Sequence, residues 1–223
     1  MGSWSFPHLH SLNRGAGRWA HSFGDGSVSH SILHRMPTFA YPAVRDTKAA
    51  VRHVRANAKK YNIDADKIAM FGESAGSCSA MGVAMTFESD YKGEISAEDD
   101  PTLPTTNLGQ SSTVAAVLDH WGSDDIATQL TARDGRPRYT RSNAPVGIFH
   151  GTADTLVPFK NALQIDAGYN ASGVFHRIFP LAGQGHGCWN ARTENMTQDE
   201  AGLSFLASVM GFGERGGQGL QLV

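Results

Sequence analysis

The sequence predicts an α/β fold: a mostly parallel sheet with helices on both faces. Short apolar runs recur at "IAMF", "TVAAVLDHW", "APVGIFHG" and "VFHRIF", and such runs suit strands buried on both sides. A segment with a helical spacing of apolar residues precedes the first of them, and further helical stretches follow "IAMF" and Pro158. Helix then strand, repeated without internal sequence repeats, points to parallel strands joined by crossover helices.

Taken in order, residues 1 to 36 hold half of the ten histidines and only scattered Val, Ile or Leu, so no element is assigned there. From Pro42, "PAVRDTKAAVRHVRANAKKY" gathers Ala43, Val44, Ala50, Val51, Val54 and Ala58 on one helical face, with Arg and Lys on the other. "NIDADK" ends that helix, and "IAMF" is a strand. Ala75 to Met85, rich in Ala, Gly and Met, suits a helix packed closely on a sheet. Residues 86–112 are polar, acidic and broken by proline, which makes them a surface excursion.

"TVAAVLDHW" is the next strand, a second excursion covers about 123–143, and "APVGIFHG" is a third strand. A helix follows Pro158, and "VFHRIF" is a fourth strand. Thr197 with Glu200 three residues on is a capping box, and Ala201, Leu203, Leu206, Val209 and Met210 continue an amphipathic helix to Gly211. The glycine-rich tail 212–223 reads as flexible.

The 223 residues are 40% hydrophobic, enough to bury one core, so a single domain is expected. A formal net charge of −2, with both signs interspersed, gives no basic field for nucleic acid. No run approaches the ~18 apolar residues of a membrane span, and "MGSWSFPHLH" has neither region of a signal peptide, so the chain reads as soluble. Cys78 and Cys188 are too few for a disulfide scaffold or a thiolate zinc site, and no metal or other cofactor is expected.

The stretch "FGESAGS" sets Ser74 in a G-x-S-x-G pattern between a strand and a helix. In that context the serine sits on a tight elbow, flanking glycines avoid backbone clashes, and the helix aims amides and its positive dipole end at a developing oxyanion. A serine hydroxyl also needs an imidazole to take its proton and a carboxylate to orient that imidazole. Asp154 in "HGTADTLVPF" and His186 in "GQGHGCW" each lie just past a strand end, in that order. Asp124 and Asp125 are the substitute acids; His120 and His150 read as partly buried structural or rim residues. Each triad member also has a plain reading: a turn serine, a capping aspartate, a surface-loop histidine.

These three motifs resemble those of the α/β-hydrolase esterase and lipase superfamily, over about Tyr41 to Leu206, nearest to bacterial and fungal esterases of small acyl and feruloyl-type esters. The resemblance implies Ser74 as nucleophile, Asp154 as orienting acid, His186 as general base and acid, and the Ala75 amide as an oxyanion donor. It implies a small-molecule ester as substrate, with Glu73, Trp121 and Trp189 as candidate pocket residues and the two excursions framing the pockets. The domains are then an unassigned segment 1–40, a catalytic domain 41–211 and the tail 212–223.

One departure is plain: the His-Gly-Gly-Gly type loop that supplies a second oxyanion amide in the superfamily is missing before Ser74. The reading is an amino-terminally incomplete fold from a truncated or frame-disturbed start, ahead of a divergent one; "FGDGS" at 23–27 is a substitute source of amides. A working triad would bring Cys78 and Cys188 near each other, so a disulfide is one reading and two small core side chains the other. The sequons at Asn170 and Asn195 lean weakly towards secretion. Two further functions stay open: a serine peptidase on the same fold, and a catalytically silent hydrolase-like binding protein.

Overall fold

The computed structural model describes residues 31–92, 98 and 101–211. Four strands, β1 (Ala69–Glu73), β2 (Ala116–His120), β3 (Val146–Gly151) and β4 (His176–Leu181), form one parallel sheet in the order β1-β2-β3-β4. The crossovers carry α3 (Ser74–Met85), α4 (Asp125–Asp134) and α5 (Lys160–Ser172), preceded by α1 (Ser31–Ala56) and the single turn α2 (Ala58–Tyr61). A two-residue hairpin, β5 (Arg192–Thr193) and β6 (Met196–Thr197), leads into α6 (Gln198–Met210). The hydrolase-type α/β architecture expected from the sequence is the one observed.

Strand alternation divides the core in two. Val117, Val146 and Ile148 face Met81 and Met85 of α3, Ala127 of α4, and Ile165 and Tyr169 of α5. Leu118, Phe149, Phe179 and Leu181 face Ala201 and Phe205 of α6. β2 and β3 are therefore buried along their whole length. The apolar run at β1 predicts the same, but among the described residues only β2 flanks it, and Phe71 is left 54% exposed.

Three further differences have local causes. α1 begins at Ser31 rather than Pro42, running through Pro37 and Pro42 and across the boundary drawn at residue 41. A proline removes one amide but leaves the other helical bonds to form, so it does not by itself mark a helix start. Lys48 and Arg52, expected on the solvated face of that helix, are 1% exposed. The excursion after α3 covers them: Lys48 Nζ donates to the carbonyls of Phe87 and Asp90 at 2.6 and 2.9 Å, and Arg52 Nε to that of Thr106 at 2.9 Å. The first excursion is thus tied to α1.

The second excursion holds α4, which the sequence reading left out. Its signals were Asp125 in the first turn, Ile126, Ala127 and Leu130 on one face, and Gly135 in the left-handed conformation as C-cap. The capping box of α6 forms as its sequence requires, Thr197 Oγ1 accepting from Glu200 N while Glu200 Oε2 accepts from Thr197 N.

Candidate active site

Parallel strands bring their carboxyl ends to one edge, and the register does so closely: Glu73 pairs with His120, His120 with Phe149, and Gly151 with Leu181. The loops beyond those ends carry Ser74, Trp121, Asp154 and His186. Ser74 has φ 48°, a left-handed value unusual for a residue with a β-carbon. It directly follows extended Glu73 and opens α3, so the chain turns sharply there.

Gly72 is needed for this elbow. A β-carbon on it would lie 2.5 Å from the Gly76 carbonyl oxygen and 2.6 Å from Ser77 N. Gly76 is different: a β-carbon there meets nothing within 4 Å among the described residues, so only the first of the two flanking glycines relieves a clash.

His186 Nε2 lies 2.9 Å from Ser74 Oγ, and its Nδ1 lies 2.8 Å from Asp154 Oδ2. The carboxylate oxygen can only accept, so Nδ1 carries the proton and Nε2 is free to accept from the serine hydroxyl. Asp154 is itself held: Oδ1 accepts from the amides of Leu156 and Val157, both at 2.9 Å. Its side chain is fully buried, whereas that of His186 keeps 22% exposure. A hydroxyl, an imidazole and a buried carboxylate in this chain can activate the serine as a nucleophile. Asp124, one substitute acid, is instead bound by Tyr139 Oη at 2.6 Å and Gln164 Nε2 at 3.1 Å, and Asp125 accepts from Ser123 Oγ.

Ala75 is exposed in the first turn of α3, where amides have no partner inside the helix. Glu73 is exposed beside it, and "FGDGS" lies outside the described residues. Trp189 is 43% exposed, and its ring stands 5.7 Å from that of Phe71. Trp121, expected as a pocket wall, is only 1% exposed. Its amide donates to Phe149 O at 2.8 Å, and its ring lies edge-on to Trp189 at 4.7 Å and 6.2 Å from the His186 ring. It backs the imidazole rather than lining open space.

His120 is stacked between Phe149 at 4.5 Å and Trp189 at 5.3 Å. Burial pushes it down to about 4, with Gln198 offsetting part of the effect. His150 is buried as well, its Nε2 2.8 Å from Val157 O and 3.5 Å from Asp154 Oδ2.

The cysteines do not pair. Cys78 faces Ser123, Sγ to Oγ 3.3 Å, and packs towards Val44, Tyr91 and Ile126. Cys188 packs in the other core layer with Leu181 and Ala201. One turn along α3 from Ser74 points Cys78 at α1 and α4, away from the histidine loop, which is why the disulfide reading fails.

Two residues escaped sequence reasoning. Asp119 is fully buried on β2, and Gln198 Nε2 reaches the carbonyls of Cys188, Trp189 and Ala191 at 2.7, 3.1 and 3.3 Å. A carboxylate inside an apolar strand run was a signal for the first; the second had none in the text. Among the described residues no group of His, Cys, Asp or Glu could hold a metal ion, and no helix is long and apolar enough to cross a membrane.

Comparisons with known proteins agree with this architecture. The thermophilic esterase Est2 of Thermogutta terrifontis superposes with a TM-score of 0.55 at 24% identity, over 80% of this chain and 68% of that one. An acetyl ester-xyloside bifunctional hydrolase of Caldicellulosiruptor lactoaceticus gives 0.51 at 20% identity, over 65% and 56%. These two likenesses are of fold. Endo-1,4-beta-xylanase B of Butyrivibrio fibrisolvens is 28% identical over 178 residues, 75% of this chain; the chain spans about a quarter, 27%, of that curated relative. The BD-FAE family profile matches residues 16–139, more than half the sequence, and the chain belongs to the BD-FAE family.

Proposed function

We propose that the chain is a serine carboxylic-ester hydrolase in which Ser74, His186 and Asp154 form the triad. The observation that carries this reading is the continuous hydrogen-bonded line from Ser74 Oγ through both nitrogens of His186 to buried Asp154. Ser74 Oγ attacks the ester carbonyl and gives its proton to His186 Nε2. The resulting oxyanion takes support from the Ala75 amide and the positive end of α3. As the tetrahedral intermediate collapses, His186 protonates the departing alcohol and an acyl-serine remains. Water then attacks that ester, passes its proton to His186, and the acid leaves with Ser74 restored. Asp154 accepts from Nδ1 throughout, holding the tautomer and facing the imidazolium.

The exposed rings of Phe71 and Trp189 beside the elbow support a ring-bearing small ester, aryl or sugar-borne, as substrate. The likeness to a protein named as a xylanase fits a polysaccharide setting for it. Exposure of the full chain to a fluorophosphonate probe and to p-nitrophenyl acetate, beside Ser74→Ala, tests the reading. Labelling and turnover lost in the variant are expected; equal signals from both proteins would overturn it.

A further inference from the structure

Among the described residues Asp119 is the one carboxylate on the two middle strands of the sheet. It sits on β2 next to the last residue of the strand, fully buried, and burial pushes its carboxyl up from the usual range. A group so costly to bury needs compensation from hydrogen bonds. Its Oδ1 accepts two of them, from Ser77 Oγ and, at 3.0 Å, from Gly122 N. Oδ2 has no hydrogen-bond partner among the described residues.

Those two donors belong to different parts of the site. Ser77 stands on α3 one turn after Ser74, and is itself 0% exposed. Gly122 follows Trp121, the residue with φ 44° whose ring backs His186 and meets Trp189. The junction has no slack: a β-carbon on Gly122 would lie 2.5 Å from Asp119 Oδ1 and 2.6 Å from Ser77 Oγ. One oxygen atom therefore fixes the nucleophile's helix relative to the turn that supports the imidazole.

We infer that Asp119 is a positioning residue for the reaction: its Oδ1 holds the first turn of α3 in register with the Trp121–Gly122 turn, and so sets the approach of Ser74 to His186. The inference rests on the reading of Ser74 and His186 as the reacting pair. Because both bonds end on the same oxygen, an asparagine amide oxygen can accept both, whereas alanine can accept neither. Charge is dispensable in this role and geometry is not.

The test compares wild type, Asp119→Asn, Asp119→Ala and Ser77→Ala for kcat and KM on p-nitrophenyl acetate, for fluorophosphonate labelling rate, and for amide hydrogen exchange across 74–85 and 119–126. A misplaced nucleophile costs on the order of 100-fold, so Asp119→Ala is expected to lose about that much kcat and labelling rate, with KM little changed. Exchange should rise together in the two segments and not through β3 and β4. Asp119→Asn should recover most of the rate and the protection, and Ser77→Ala should fall between. An asparagine variant as slow as the alanine one, an alanine variant as fast as wild type, or exchange rising evenly across the sheet would each overturn the role. If Asp119→Ala does not fold, Ser77→Ala and Asp119→Asn decide by the same measures. A wild type that takes no label sinks the reading of Ser74 instead, and the coupled exchange of the two segments then decides whether Asp119 holds them together.

Discussion

Asp154 meets His186 with one carboxylate oxygen, Oδ2 at 2.8 Å from Nδ1, while its other oxygen is occupied by two backbone amides. The carboxylate is thus unable to turn away from the ring. Asp154→Asn presents either an amide N–H, which cannot accept from Nδ1–H, or an oxygen whose partner group then faces the amides of Leu156 and Val157. Loss of the correct tautomer is expected to lower kcat about 10⁴-fold, read by steady-state hydrolysis of p-nitrophenyl acetate against wild type.

Gln198 holds the histidine loop from below through the carbonyls of Cys188, Trp189 and Ala191. Gln198→Leu leaves these acceptors without that donor in a largely buried place, which costs about 1–3 kcal/mol. Urea unfolding should show that loss. A displaced His186 should also reduce kcat, by about 10-fold, and full activity in the variant would show that the loop holds itself.

His120 gives stability a pH dependence of known sign. Held near 4 by burial when folded, and near 6.5 when unfolded, it lets the unfolded chain take up a proton that the folded chain refuses. Stability therefore falls as pH drops through 6.5 towards 4, by on the order of 3 kcal/mol across the window. His120→Phe keeps a ring between Phe149 and Trp189 and removes the titration. The difference in unfolding free energy between the two proteins should shift with pH over that range and level off above it.

Cysteine chemistry follows from the two separate packing sites. Burial pushes the Cys78 thiol up to about 11, and Cys188 is raised as well. Thiol reagent at pH 8 should leave Cys78 untouched in the native protein. Unfolding without reductant should release two thiols per chain; none would restore the disulfide.

Much of this architecture can be read from the text because buried strands and their turns leave local marks. The runs at "TVAAVLDHW" and "APVGIFHG" are strands because β2 and β3 are covered on both faces. The motif around Ser74 and the loops of Asp154 and His186 are local too, and the structure brings all three side chains within hydrogen-bond distance. What escaped depends on distant partners. Phe71 is exposed because of its place in the strand order, Lys48 and Arg52 are buried against carbonyls 39 to 54 residues away, and the Trp121 ring is buried against Trp189 and His186 of a distant loop. Asp119 and Gln198 act through residues that no spacing rule connects to them. α4 is the exception, since its cap and apolar face were present in the sequence.

The left-handed backbone at Ser74 has a consequence for heat. A β-carbon in that region strains the chain by roughly 1–2 kcal/mol, and the close seating of Gly72 against Gly76 keeps the turn from relaxing. Warming loosens such local restraints before it dissolves a four-stranded sheet. The hydroxyl should therefore lose its poise, and its appetite for a probe, several degrees below the melting of the fold.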